Sequence, residues 1–316
     1  TTSGYNALLG YQAGQALAGG SGQNVAIGYQ PLYNGTSNTR VIAIGSRAGY
    51  NSTADSNIYI GYSAGRESRA GVSQVYIGNQ AGYYATGSYN TFVGDDAGKG
   101  GTTSAPFSSG PNNTAIGYQA LTAFTTAAAV TAVGYQTLTA LTTGIGNSGL
   151  GDRTLKLLTT GQYNTALGNQ AMENTVDGNR NIAIGYQAGS YVLNDYNTAV
   201  GFNAGKTMSG SHNTFVGNEA GLGGGGTSAP YSSGQYNTSV GSEALKGTTT
   251  ANYNVAIGYQ AGTVVTTGGN NVFLGGYRAG YANTSGNNNI MIGYAAGQSN
   301  VSGDEMILIG TGAGAN

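Results

Sequence analysis

The 316-residue chain has no cysteine and no tryptophan, a single histidine, His212, and only four prolines. Without cysteine there can be no disulfide framework, no thiolate nucleophile and no thiolate-based zinc site. A histidine-based triad would have to be built on His212. That residue fills a slot held elsewhere by Tyr89, Tyr196 and Tyr253, and it reads as a turn residue. Charge is also scarce: charged residues make up 7% of the chain and the net charge is −1. The eleven Lys and Arg are scattered and form no basic stripe, so nucleic acid is not an expected partner. No apolar run approaches the roughly 20 residues of a membrane-spanning helix, and no signal peptide stands at Thr1. The adjacent acids Asp95 and Asp96 would point opposite ways on a strand and read as a solvated pair, not a cation site. The run Gly223 to Gly226 lacks the lysine of a phosphate-binding loop. These deficits lead to the expectation of a non-enzymatic protein with no cofactor and no metal.

What the chain does contain is repetition. An aliphatic residue followed by glycine recurs eighteen times, from Leu9-Gly10 through Ile27-Gly28, Ile184-Gly185 and Ile257-Gly258 to Ile309-Gly310. Successive anchor glycines are mostly 16–18 residues apart. So short and sustained a period predicts a solenoid, each repeat being one coil that buries its apolar face by stacking on its neighbours. Glycine is abundant, at 58 residues, but the strict period argues for order. The expectation is therefore one all-β domain over 1–316, a parallel β-solenoid of about eighteen coils. At ~4.8 Å per coil it would be roughly 85 Å long. Neither terminus carries a recognisable capping repeat, which leads to the expectation of something stacked there.

Positions can be counted from the anchor glycine. The residue before it (position −1) is Ile, Val or Leu in all eighteen copies, and the residue at −3 is Val, Ile or Thr in most. A separation of two places both on one face of a strand, and that face is expected to be the core. The residue between them varies from Ala26 and Ala183 to Tyr59 and Phe273. Such tolerance suggests solvent or a partner's surface instead of a fixed-volume interior. With the Thr row on the core side, a flat Thr array of the kind that orders ice is not expected. Position −4 is Asn in fourteen copies, among them Asn24, Asn181 and Asn254. Asn tolerates the left-handed conformation, so a stacked Asn row is expected to close one corner and the anchor glycine another. Position +4 alternates between Gly and a large residue such as Leu121 or Met172, which predicts two coil subtypes with differently filled interiors.

Two spacings are longer, and their insertions, near 99–111 and 222–235, match each other. They bring Pro106-Phe107 and Pro230-Tyr231 to similar places, candidate ligand-contact loops with an aromatic tip or else a tolerated insertion copied with its block. The 24 tyrosines are enough for rows that pack at subunit interfaces or against sugars. Six sites fit the N-x-[ST] acceptor pattern: Asn34, Asn51, Asn112, Asn237, Asn283 and Asn300.

The repeat N-x-A-[IV]-G, as in Asn24 to Gly28 or Asn254 to Gly258, resembles the head repeats of trimeric autotransporter adhesins. The fuller NTAIGYQAL of Asn113 to Leu121 is similar to repeats of phage-type tail-fibre proteins. The resemblance covers essentially the whole chain, with a longer period than the adhesin heads and no neck, stalk or anchor motif. It implies a left-handed β-roll assembled as a homotrimer, extracellular, on a cell surface or as a virion appendage. The partners it implies are the chain itself and a host-surface glycan or protein receptor. The Tyr-rich, Ala/Phe-tolerant face is the expected subunit interface. The alternative is a self-assembling filament whose subunits stack head to tail.

Overall fold

The computed structural model describes residues 4–18, 22–101, 107–191, 194–224 and 232–314. The regular elements among them are eighteen parallel strands, and the fold is an all-β parallel solenoid. It falls into two compact units, Thr1–Tyr163 and Asn164–Asn316. The first holds β1 (Ala7–Leu9), β2 (Val25–Ile27), β3 (Ile42–Ile44), β4 (Ile58–Ile60), β5 (Val75–Ile77), β6 (Thr91–Val93), β7 (Thr114–Ile116), β8 (Thr131–Val133) and β9 (Ser148–Leu150). The second holds β10 (Thr165–Leu167), β11 (Ile182–Ile184), β12 (Thr198–Val200), β13 (Thr214–Val216), β14 (Thr238–Val240), β15 (Val255–Tyr259), β16 (Val272–Tyr277), β17 (Ile290–Ile292) and β18 (Ile307–Ile309). Within each unit every strand pairs in register with the next, so −3, −2 and −1 residues of successive coils form straight columns.

Most strands are three residues long because the anchor glycine ends them. Gly28 has φ +133, and a Cβ there would lie 2.7 Å from the carbonyl oxygen of Gly45 in the next coil. Both the conformation and the close approach exclude a side chain. The backbone then turns through left-handed residues at +2 and +4, such as Gln30 (φ 54) and Leu32 (φ 47), and again at −5, such as Arg40 (φ 58). The left-handed residue of the last corner thus lies one place before the recurring Asn, not on it. The Asn acts through its side chain. Asn254 Oδ1 accepts from the backbone N of Asn271 (3.1 Å), and Asn254 Nδ2 donates across the coil to Gly268 O (2.9 Å). In the second unit this bond repeats from Asn164 through Asn181, Asn197, Asn213, Asn237, Asn254, Asn271 and Asn289 to Met306 N. Each Asn satisfies backbone groups that the corner would otherwise leave buried and unpaired.

The core lies on the opposite face of the strand from the one expected. The middle residue, −2, is buried in nearly every strand, including Ala26, Tyr59, Phe92, Phe215 and Phe273, while −3 and −1 are half-buried or exposed. The size variation at −2 is absorbed at +4. Ala115 is followed by Leu121, Ala132 by Leu138, Ala166 by Met172 and Ser239 by Leu245, whereas Tyr59, Tyr76, Phe92 and Phe215 are followed by glycine, and Phe273, whose coil carries one extra residue after the anchor, by Gly280 at +5. The aromatic ring also leans over the preceding coil, so Gly49 and Gly262 stand where a Cβ would come within 2.6 Å of Tyr59 and 2.7 Å of Phe273. These are the two coil subtypes. Gly189, beside Ala183 with Ala199 in the next coil, departs from the rule, and nothing in the structure explains it.

Candidate functional site

The inward turn of position −2 leaves −3 and −1 facing outward. Ile27, Ile184 and Ile257, read from the sequence as inward anchors, are surface residues: Ile27 is half-buried, Ile184 is 37% and Ile257 39% exposed. In the first unit Ile116 and Leu150 stand out, and in the second Leu167, Ile182, Val240, Leu274 and Ile290 do the same. Each unit therefore carries an outward sheet face of two aliphatic or Thr/aliphatic columns. Thr91, Thr114 and Thr131 are register partners in the first unit, as are Thr198, Thr214 and Thr238 in the second. The Thr row, expected on the core side, lies outside. Beyond the anchor glycine, position +1 adds exposed tyrosines stacked in short runs: Tyr11 on Tyr29 at 5.2 Å, Tyr118 on Tyr135 at 5.4 Å, and Tyr259 and Tyr294 on either side of the half-buried Tyr277, which lies one place later in its coil.

The partner-facing role expected for the Ala/Phe position is thus reversed: that position is the interior. The sequence does hold the signal, since a large −2 residue occurs with glycine at +4 or, at Phe273, one place later. Sequence order alone suggested the reverse because an uninterrupted aliphatic column looks more like a core than a mixed one does.

Asn24, Asn181 and Asn254 are buried in the corner ladder, and Gly28, Gly185 and Gly258 hold the strand-ending turn with φ +133, +133 and +126. Of the candidate contact loops, Pro106, Pro230 and Tyr231 lie outside the described residues. Phe107 stacks on Tyr84 (5.9 Å) and carries the Arg69 guanidinium at 5.2 Å. Of the acceptor-pattern asparagines, Asn237 and Asn283 are fully buried, Asn51 and Asn300 are half-buried, and Asn34 and Asn112 are exposed. His212 adopts φ +62 in its turn, with its ring stacked between Tyr196 and Tyr236 at 4.9 Å from each. Asp96 pairs with Lys99 at 3.0 Å and Asp95 accepts from Asn79 at 3.1 Å. Among the described residues no three His, Cys, Asp or Glu side chains come together as a metal site, and no helix is long and apolar enough to cross a membrane.

No protein-family model matches this chain, and no curated protein matches it significantly in sequence.

Proposed function

We propose that this protein is a non-catalytic fibrous protein that associates with itself and serves in surface attachment outside the cell, as part of an adhesin or tail fibre. Its chains meet as a homotrimer, wound left-handed as the repeat resemblance implies, through the outward faces of their strands. The observation that carries the reading is the pair of outward Thr/aliphatic columns on each unit, half-buried to exposed along their length. Soluble monomers rarely leave contiguous apolar patches of more than a few hundred Å² in water. Rows spaced at the parallel-strand distance of ~4.8 Å are matched along their length by a partner with the same spacing, and a second copy of the chain has it by construction. The tyrosine rows beside the columns supply the aromatic rim that interfaces favour.

The test is the solution mass by light scattering, with negative-stain images of the same sample. A discrete mass three times the 31.6 kDa chain is expected, falling to one chain when Ile184→Asp and Ile257→Asp are combined. Open polymers unaffected by those substitutions would instead favour the head-to-tail filament.

A second reading has one observation in its favour, the outward Thr columns. A flat ladder of Thr methyls and hydroxyls can also order ice. A wild-type protein that stays monomeric at micromolar concentration and shows thermal hysteresis would replace the attachment reading with this one.

A further inference from the structure

The first unit carries a polar depression away from its strands, of about 410 Å³ and lined by Asn34, Asn51, Thr53 and Arg69. These residues sit at +6 and +8 in successive coils, so the stacking repeat brings together groups that are 16–18 residues apart in the chain. Their hydrogen bonds hold them in place without exhausting them. Asn34 Nδ2 donates to Asn51 Oδ1 (2.6 Å), and Asn51 Nδ2 donates to Glu67 Oε2 (2.7 Å). Glu67 is buried, and its Oε2 also takes the Arg69 Nη2 at 3.1 Å. The Thr53 hydroxyl donates to the Arg69 carbonyl oxygen. Arg69 is therefore fixed on one edge by Glu67 and packed on the Phe107 ring, while its side chain stays 57% exposed. These bonds use one N–H of each amide and the Arg69 Nη2, and leave the other guanidinium N–H groups, the Asn34 Oδ1 and the second N–H of each amide for further partners.

We propose that this depression binds a carboxylate-bearing saccharide. Arg66, Arg69 and Glu67 sum to a local charge of one positive, which suits one carboxylate and not a polyanion. The guanidinium fork takes a carboxylate in two parallel hydrogen bonds. Amides both donate and accept, as sugar hydroxyls do, so Asn34 and Asn51 suit the ring substituents. The neighbouring rings do not serve as sugar platforms. Tyr33 and Tyr50 stack face to face at 4.9 Å, and Arg66 lies over the Tyr50 and Tyr83 rings. The ion pair and hydrogen bonds must therefore carry recognition. The site adds a ligand to the attachment reading and does not depend on the oligomer, because none of its lining residues belongs to a strand.

The experiment is calorimetric titration of the full chain, in whatever oligomeric state it adopts, with a galacturonic acid trisaccharide, its neutral galactose counterpart and acetate. Saturable binding of the acidic trisaccharide is expected, with the neutral sugar and acetate each at least about tenfold weaker, roughly 1.4 kcal/mol per site. Arg69→Gln should abolish the preference for the acidic sugar, Arg69→Lys should weaken it, and Asn34→Ala should weaken both sugars with melting unchanged. If Arg69→Gln does not fold, the wild-type comparison of acidic, neutral and acetate probes decides alone. No saturable binding of the acidic trisaccharide, equal binding of the neutral one, or equal binding of acetate would each overturn the proposal. A monomeric protein that binds would leave it standing while removing the trimer.

Discussion

The ring of Phe215 fills the space that side chains at Gly205 and Gly221 would need. A Cβ at 221 would lie 2.2 Å from Phe215 Cδ1, and one at 205 would lie 2.8 Å from Cδ2. One ring thus sets the residue type in its own coil and in the coil before it.

This relationship makes the coil subtypes interconvertible. Gly221→Leu alone should destabilise by about 1–3 kcal/mol through overpacking, and Phe215→Ala alone by about 3–5 kcal/mol through the cavity it leaves. The double variant recreates the Ala115/Leu121 pairing, and left-handed backbone at 221 is no obstacle, since Leu121 adopts φ 54 in the equivalent place. Denaturant titration of the cycle should show the double variant well above the sum of the singles; strict additivity would refute the volume-exchange rule.

The Asn ladder should be costly to break in its middle. Asn237 Oδ1 accepts from Asn254 N (3.0 Å), and its Nδ2 donates to Ala251 O (2.8 Å), all without access to water. Asn237→Ala leaves both backbone groups unpaired, at roughly 1–3 kcal/mol each. Hydrogen exchange at Asn254 N should accelerate more than at amides in the first unit, and equal protection in variant and wild type would show that the ladder is dispensable.

Alkali should act on the interior of the first unit. Burial pushes the Tyr59 phenol from 10.0 up to about 12, against hydrogen bonds with Ser52 and Ser68 that lower it. Tyr76 is raised by burial and by the neighbouring Tyr59. The folded state therefore holds the neutral phenol more tightly than the unfolded chain does. That stability is complete below pH 10 and is lost as pH rises from 10 through about 12. Melting temperature followed across this window should fall, and Tyr59→Phe combined with Tyr76→Phe should flatten the decline. A flat wild-type profile would contradict the assignment.

The acceptor-pattern asparagines should separate by burial. Secreted from a eukaryotic host, the protein should carry glycan at Asn112 in preference to Asn237 or Asn283, whose side chains have no exit to solvent. Peptide mapping that finds Asn237 occupied in folded protein would contradict the inward placement of the ladder.

The sequence by itself determined the period, the eighteen coils, the strand positions and the Asn and Gly corners. Each of these follows from local demands that recur every 16–18 residues: a glycine where φ is near +130, an amide where backbone groups need partners, and alternation across a strand. It also held the Gly/Leu alternation at +4 that marks two coil types. It left the direction of the strand undecided, because a three-residue strand such as Ile182–Ile184 has an apolar residue at every position. Only the closed coil decided that, since its interior has a fixed cross-section that the −2 and +4 side chains must share, Phe215 with Gly221 or Ala115 with Leu121. The tertiary structure likewise assembled Asn34, Asn51, Thr53 and Arg69 into one depression, because residues of successive coils become neighbours only when the coils stack in register.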